Sequence, residues 1–199
     1  MSQHATPAIV TDVEGTIAIV RFNRPAERNT LSTPVLDQLD SIVSELTANP
    51  HLRAIIFTGT GDVFLSGADI RELSKLDQTS ARAFSQRGQA IMQRIAGAKQ
   101  TTIAAINGYC MGGGLDLALA CNVRIASSTA VFAHPGARLG IITGWSGTQR
   151  LPRLIGKDAA IDLFVTARRL SSEEALQLGL ISEICDPVLE GALRLATTS

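Results

Sequence analysis

The chain alternates between short apolar runs and stretches in which apolar residues recur every three or four positions. Strands are predicted at Thr16 to Phe22, Ala54 to Thr58 and Thr102 to Ile106, which are short and largely apolar. The spacing predicts an amphipathic helix from Val35 to Leu46. A second helix is predicted to present Phe84, Ile91, Met92 and Ile95.

The rest of the chain continues this alternation and then turns helical. Short strands are predicted at Val123 to Ala126 and Ala130 to Ala133, and helices at about Thr148 to Ile155, Lys157 to Ala167 and Ser171 to Leu178. Ser171 and Glu174 have capping-box spacing, and Ser32 or Thr33 is expected to cap the first helix. Repeated strand–helix crossovers predict an α/β fold with a mostly parallel sheet.

The composition gives information on which kinds of partner the protein binds. The 199 residues suffice for one domain, and 18 basic residues balance 18 acidic ones, so the net charge of zero gives no reason to expect nucleic acid or an anionic membrane. Charged residues make up only 18% of the chain, and the mean hydropathy is +0.19. This low charge favours an oligomer that covers part of the surface.

The compartment follows from what the sequence lacks. It has no apolar run long enough to span a bilayer and no N-terminal secretion signal. Its three cysteines, Cys110, Cys121 and Cys185, are odd in number and lack metal-ligand spacing, and no other metal site is visible. We therefore expect a cytoplasmic protein with free thiols.

Gly112, Gly113 and Gly114 lie between a predicted strand and a predicted helix. Glycine allows close backbone approach, and the N–H groups at a helix N-terminus favour a standing or developing negative charge. The order of the glycines fits neither a dinucleotide-binding fingerprint nor a Walker loop, and Gly144 to Thr148 breaks the nucleophile-elbow pattern. Tight helix–strand packing is the alternative explanation of the glycines.

A second small-residue turn, Gly61 to Ile70, follows the strand at Ala54 to Thr58. Two such turns can each direct one backbone N–H at the same oxygen. That pairing is an oxyanion hole, in which loss of one donor costs roughly 2.7–4 kcal/mol of transition-state stabilisation.

In these segments the chain resembles the crotonase superfamily, also called the enoyl-CoA hydratase/isomerase family. The resemblance covers roughly residues 8 to 187. The matching stretches are Asn23 to Pro25 with Asn29, Phe64 to Leu73, Ala105 to Ala120, Gly147 to Gly156, and Gly179 to Ile181.

The resemblance implies a spiral of βαβ units with a helical C-terminal part, acting on acyl-CoA thioesters as a lyase or isomerase, as in fatty acid metabolism. Coenzyme A would enter as part of the substrate, with no other cofactor. The backbone N–H groups of Ala68 and Gly113 would form the oxyanion hole. The residues implied to bind substrate are Ala68, Asp69, Ile70, Arg71, Gly113 and Arg28.

The chain departs from the family's hydratases at both acid positions. Those enzymes use two glutamates around one water, and here the positions hold Asp116 and Gly136. Simple hydratase chemistry is therefore doubtful, although Asp116 alone can shuttle a proton. The alternative for Asp116 is a surface or salt-bridged residue in the first turn of a helix.

His134 is the second candidate base. It precedes Pro135, which favours an extended backbone, so we expect it to face the direction of residue 136. Its ordinary pKa suits proton transfer near neutral pH, whereas a hydrogen-bonded core histidine is the alternative. Trp145 and Tyr109 are expected to flank the pocket, either packing an acyl chain or serving the core.

The resemblance also bears on organisation. The family continues into further C-terminal helices that cover the pocket and help form trimers, whereas this chain ends at Ser199. We expect one crotonase-like domain over 1–199, with a βαβ core at about 8–145 and a shortened helical part at about 146–199. A homotrimer or dimer of trimers is the expected assembly.

The sequence thus predicts an enzyme of the enoyl-CoA hydratase/isomerase type that stabilises a thioester enolate, with Asp116 as acid/base and His134 assisting. Two alternatives stay open. One is a pseudoenzyme that binds acyl-CoA without turnover, and the other is a thioester hydrolase with a water held against His134.

Overall fold

The computed structural model describes residues 7–198. Its strands are β1 Ile9–Glu14, β2 Ile17–Phe22, β3 Ala54–Thr58, β4 Val63–Leu65, β5 Thr101–Ile106, β6 Tyr109–Met111, β7 Val123–Ala126, β8 Val131–Ala133 and β9 Glu183–Ile184. Its helices are α1 Thr33–Ala48, α2 Ile70–Leu73, α3 Gln78–Ala96, α4 Gly113–Ala120, α5 Gly147–Ile155, α6 Lys157–Thr166, α7 Ser172–Gln177 and α8 Val188–Thr198, with 3₁₀ helices at Pro25–Glu27 and Pro135–Leu139.

The strands form two sheets. The larger has six strands in the order β1-β2-β3-β5-β7-β9, in which only β1 and β2 pair antiparallel. The smaller has three parallel strands in the order β4-β6-β8. The predicted α/β fold with a mostly parallel sheet is confirmed.

The central strands of the large sheet are buried on both faces. Along β3, Ile55 and Phe57 belong to the main hydrophobic core, while Ala54 and Ile56 face a second cluster completed by α8. This alternation follows from the two-residue period of a strand. Helices therefore cover both faces, as parallel sheets require.

The small sheet positions the two glycine-containing turns. Because β4 and β6 are parallel neighbours, the turns that follow them emerge at the same edge. There Gly67 approaches the start of α4 so closely that a Cβ on it would lie 2.8 Å from the Gly113 nitrogen. Only glycine fits this contact, and Gly67 also has a φ of +93°.

The start of α1 differs from the prediction. Ser32 is the N-cap residue, but its side chain makes no capping hydrogen bond. Instead the Glu72 carboxylate accepts hydrogen bonds from the Thr33 backbone N–H and hydroxyl, each 2.7 Å long. The cap comes from α2, 39 residues further along the chain.

Candidate active site

A cavity of about 250 Å³ opens where the two turns meet. Its walls come from the turn before α2, the start of α4, the 3₁₀ helix Pro135–Leu139 and the loop that leads to α5. Ala68, Gly113, Asp116 and His134 all line it. The structure thus brings together the four residues that the sequence singled out for chemistry.

Ala68 and Gly113 both line this cavity, and their backbone N–H groups are the two predicted donors. Gly113 is the first residue of α4, so its N–H has no partner within the helix. Within residues 7–198, neither Ala68 N–H nor Gly113 N–H donates a backbone hydrogen bond. Gly112, at φ +51°, makes the turn that starts the helix.

Asp116 lies in the first turn of α4 and is only 1% exposed, so a solvated surface position is wrong. The Thr143 hydroxyl donates a hydrogen bond to its Oδ2 atom. Its Oδ1 atom is buried and has no hydrogen-bond partner among the described residues. Burial raises the pKa of Asp116 from 3.8 to about 7, against the opposing effects of Thr143, the Trp145 backbone and Arg150.

His134 immediately follows β8 and is 3% exposed. Its Nε2 atom lies 3.6 Å from Asp116 Oδ1, too far for a hydrogen bond. Within the described part of the chain, Nε2 has no hydrogen-bond partner. Burial lowers the pKa of His134 from 6.5 to about 4, which leaves the imidazole neutral near pH 7. Its ring packs 5.2 Å from that of Phe164 in α6.

The predicted reason for the orientation of His134 is wrong. An extended segment would place residues 134 and 136 on one face, but Pro135–Leu139 is a 3₁₀ helix. His134 reaches the cavity because it stands at the end of β8, before that helix turns.

Gly136 stands at the second acid position that the resemblance implies, and its surroundings leave no room for a side chain. A Cβ on Gly136 would lie 2.6 Å from the carbonyl oxygen of Ile141. A Cβ on Gly144 would overlap the hydroxyl of Ser85 on α3. Asp116 is therefore the sole carboxylate among the residues lining the cavity.

Trp145 closes the inner wall of the cavity and is 3% exposed. Its indole fits a slot between two glycines, because a Cβ on either Gly88 or Gly113 would overlap it. The Phe84 ring packs 5.4 Å from the indole. The predicted flanking position is confirmed for Trp145.

The remaining predicted binding residues are divided between the cavity and its surroundings. Ile70 lines the cavity. The Asp69 side chain accepts a hydrogen bond from the Arg71 backbone N–H at the start of α2, and it also pairs with the Arg71 guanidinium at 2.7 Å. The Arg71 side chain is 84% exposed, and Arg71 is not among the residues that line the cavity.

Arg28 lies at a second, adjoining cavity of about 350 Å³. Arg138 and Arg169, which the sequence did not single out, line the same cavity, and so does Tyr109. None of these three arginines forms a salt bridge within the described part of the chain. The two cavities share Ser66 and Pro135.

Residues 7–198 give no sign of a metal site or of a membrane-spanning helix. No group of three or more His, Cys, Asp or Glu side chains there could hold a metal ion. In the same residues no helix is long and apolar enough to cross a membrane. Cys110, Cys121 and Cys185 are free thiols.

Comparison with known proteins identifies the family. The enoyl-CoA hydratase/isomerase family profile matches residues 12–198. A short-chain-enoyl-CoA hydratase of Clostridium acetobutylicum is 37% identical over 180 residues, which is 90% of this chain and 69% of that protein.

Solved structures give the same answer. An enoyl-CoA hydratase from Bacillus anthracis superposes with a TM-score of 0.91 at 34% identity, covering 96% of this chain and 76% of that one. DspI of Pseudomonas aeruginosa superposes with a TM-score of 0.92 at 32% identity, covering 99% of this chain and 82% of that one.

The fold is therefore that of the crotonase superfamily. The chain belongs to the enoyl-CoA hydratase/isomerase family, and the predicted resemblance is confirmed.

Proposed function

We propose that this enzyme binds an acyl-CoA thioester with its carbonyl oxygen between the backbone N–H groups of Ala68 and Gly113. Both residues line the cavity, and both N–H groups lack a backbone acceptor within the described residues. Two such donors would stabilise the negative charge that develops on the oxygen as an enolate forms. The carbonyl would then lie one helical turn from Asp116.

Asp116 is the proposed acid/base. Asp116 lines the cavity, and the observation that carries this assignment is its buried Oδ1 atom, which has no hydrogen-bond partner within residues 7–198 and lies 3.6 Å from His134 Nε2. A pKa of about 7 provides both the carboxylate and the carboxylic acid near neutral pH, so the group can take up and return a proton.

The lone carboxylate favours proton transfer over hydration. Asp116 removes a proton from one carbon of the acyl chain, the electron pair moves onto the thioester oxygen, and the proton returns at another carbon. Movement between Cα and Cγ needs one such group. Hydration also requires activation of water, and position 136 has neither a carboxylate nor space for one. His134, neutral and next to Asp116, is proposed to assist.

Coenzyme A would extend from the reaction cavity into the adjoining one. Its phosphates require positive charge, and Arg28, Arg138 and Arg169 line that second cavity without carboxylate partners in the described residues. Arginine suits phosphate recognition because its planar guanidinium can donate two parallel hydrogen bonds.

For the whole protein we propose a single-domain, cytoplasmic homotrimer or dimer of trimers. The packing of α8 on β3, β5 and β7 supports one domain, and the free thiols agree with a reducing compartment. Exposed apolar side chains, including Ile142 and Val165, support an assembly that covers them.

The proposed function predicts that Asp116→Asn abolishes proton exchange. A panel of acyl- and enoyl-CoA thioesters is incubated with the enzyme in heavy water and analysed by mass spectrometry. The wild type should introduce deuterium at Cα. Asp116→Asn should lower that rate by at least about 100-fold, the usual contribution of a general acid–base group, with thioester affinity changed by less than about threefold.

The exposed Asp12 in β1 provides the matched control, and Asp12→Asn should exchange at the wild-type rate. Full exchange in Asp116→Asn would contradict the assigned role. Binding without exchange in the wild type would indicate an acyl-CoA-binding pseudoenzyme. Release of free thiol would indicate a hydrolase that uses the His134 side of the cavity.

A further inference from the structure

Thr143 makes the only side-chain hydrogen bond to Asp116 within residues 7–198. It lies on the loop between the 3₁₀ helix Pro135–Leu139 and α5, lines the cavity, and is half-buried. Its hydroxyl donates to Oδ2, the oxygen that is not turned to His134.

We propose that Thr143 is a positioning residue, whose hydroxyl fixes one oxygen of Asp116 so that the other faces His134 and the bound substrate. This inference rests on the proposed function, since it concerns how the same acid/base is oriented. It adds a role for the loop that carries Thr143.

The surroundings of the carboxylate support the assignment. A Cβ on Gly147, the first residue of α5, would overlap Asp116 Oδ1 and would lie 2.7 Å from the Thr143 methyl group. The carboxylate is therefore confined between the backbone of α5 and the Thr143 side chain. With Oδ2 held by the hydroxyl, Oδ1 lies 3.6 Å from His134 Nε2.

The hydrogen bond also affects the proton affinity of Asp116. A donor to the ionised form lowers a carboxyl pKa, and Thr143 acts in this direction against burial. The other titratable or charged groups near Asp116 are His134 before the 3₁₀ helix, Arg150 on α5 and Cys110 on β6. None of these three is altered by a change at position 143.

Thr143→Val is the test, because valine keeps the branched shape and removes the hydroxyl. For proton exchange in heavy water, Thr143→Val should have a lower kcat than the wild type, and its KM should stay within about threefold of the wild-type value. The rise of activity with pH should move to higher pH by about one unit, the shift expected when a hydrogen bond to a charged group is lost. Thr143→Ser, which keeps the hydroxyl, should retain the wild-type profile.

The same shift can be measured without turnover. The carboxyl carbon resonance of Asp116, assigned with Asp116→Asn, should titrate about one unit higher in Thr143→Val and at the wild-type pH in Thr143→Ser. Thr143→Ala provides a second variant without the hydroxyl if the valine protein does not fold.

Wild-type rate, profile and titration in Thr143→Val or Thr143→Ala would overturn the positioning role. So would a serine variant that behaves like valine, because the hydroxyl would then not be the operative group. Failure of the proposed function is distinguishable: in that case the wild type itself shows no exchange, or Asp116→Asn retains full exchange.

Discussion

At the level of single residues, Asp116 and His134 have opposite pKa shifts with the same cause. Burial raises the pKa of Asp116 from 3.8 to about 7 and lowers that of His134 from 6.5 to about 4. Between about pH 4 and 6.5, Asp116 is protonated in the folded protein and ionised in the unfolded chain. Over the same range, His134 is neutral in the folded protein and protonated in the unfolded chain.

The two residues make the free energy of unfolding depend on pH in opposite directions. The stabilisation that the raised pKa of Asp116 provides at low pH is lost as the pH rises toward 7. The stabilisation that the lowered pKa of His134 provides at high pH is lost as the pH falls toward 4. Because the slope of the unfolding free energy depends on the difference in bound protons, the two contributions cancel between about pH 4 and 6.5.

Asp116→Asn should expose the His134 contribution. Relative to the wild type, its free energy of unfolding should rise by about 1.4 kcal/mol per pH unit across this window, since one of the two opposing protons has been removed. Urea unfolding at several pH values measures the difference. The control Asp12→Asn should follow the wild type, and parallel curves for Asp116→Asn would contradict the prediction.

The sequence was sufficient to predict Asp116 and His134 as candidate acid/base residues, but it did not predict that Thr143 contacts Asp116. The first two residues could be found from the glycine-rich turn, the resemblance and the choice of a titratable side chain. The hydrogen bond between Thr143 and Asp116 spans 27 residues and depends on how the loop before α5 folds back over α4. A contact between residues so far apart in the sequence leaves no pattern in the residues next to either of them.

At the level of elements, α3 contains a buried glycine that packs against another part of the chain. Gly88 lies in the interior of the helix, where glycine is normally less favourable than alanine by about 1 kcal/mol. A Cβ at this position would overlap the Trp145 indole. The glycine is thus explained by the space that the indole needs.

Gly88→Ala should therefore destabilise the protein, in contrast to the gain in helix propensity expected of an ordinary helix position. Overpacking of this kind typically costs about 1–3 kcal/mol. Urea unfolding gives the free energy, and the fluorescence of Trp145, the single tryptophan of the chain, should change as the indole is displaced.

Gln86→Ala is the matched control in the same helix, because Gln86 is exposed. It should leave both the stability and the tryptophan emission close to those of the wild type. An alanine at position 88 that stabilises the protein and leaves the emission unchanged would show that the indole does not need this space.

Elements with a long or regular pattern could be predicted, and those defined by distant partners could not. The capping box of Ser171 and Glu174 is local and is confirmed. The three-residue strands β4 and β6 are too short to show a period, although they hold the two turns together. The cap of α1 escaped prediction because Glu72 supplies it from α2.

On the scale of the whole molecule, charge is distributed unevenly although the total is zero. Arg28, Arg138 and Arg169 come from three separate segments and line one cavity, which adjoins the cavity that contains Asp116. Net charge is a sum over the whole chain and carries no information on position. A total of zero therefore gave no indication of these three clustered arginines. Such a cluster attracts an anionic ligand more strongly at low salt.

Replacing Arg138 or Arg169 by Gln should weaken the binding of an acyl-CoA thioester, measured by calorimetry, by about two- to fivefold each, the range expected for exposed ion pairs. The decrease in affinity with added salt should also become less steep, because fewer phosphate contacts remain. Lys99→Gln, at an exposed position outside both cavities, is the control.

The corresponding acyl-pantetheine thioester separates the two cavities, because it has the same acyl group and thioester but lacks the nucleotide phosphates. Its affinity should be the same in the wild type and in both arginine variants. If Arg138→Gln and Arg169→Gln weakened both ligands equally, the arginines would support the fold of the reaction cavity instead of binding phosphate. If they weakened neither, the coenzyme would have to leave the reaction cavity by another side.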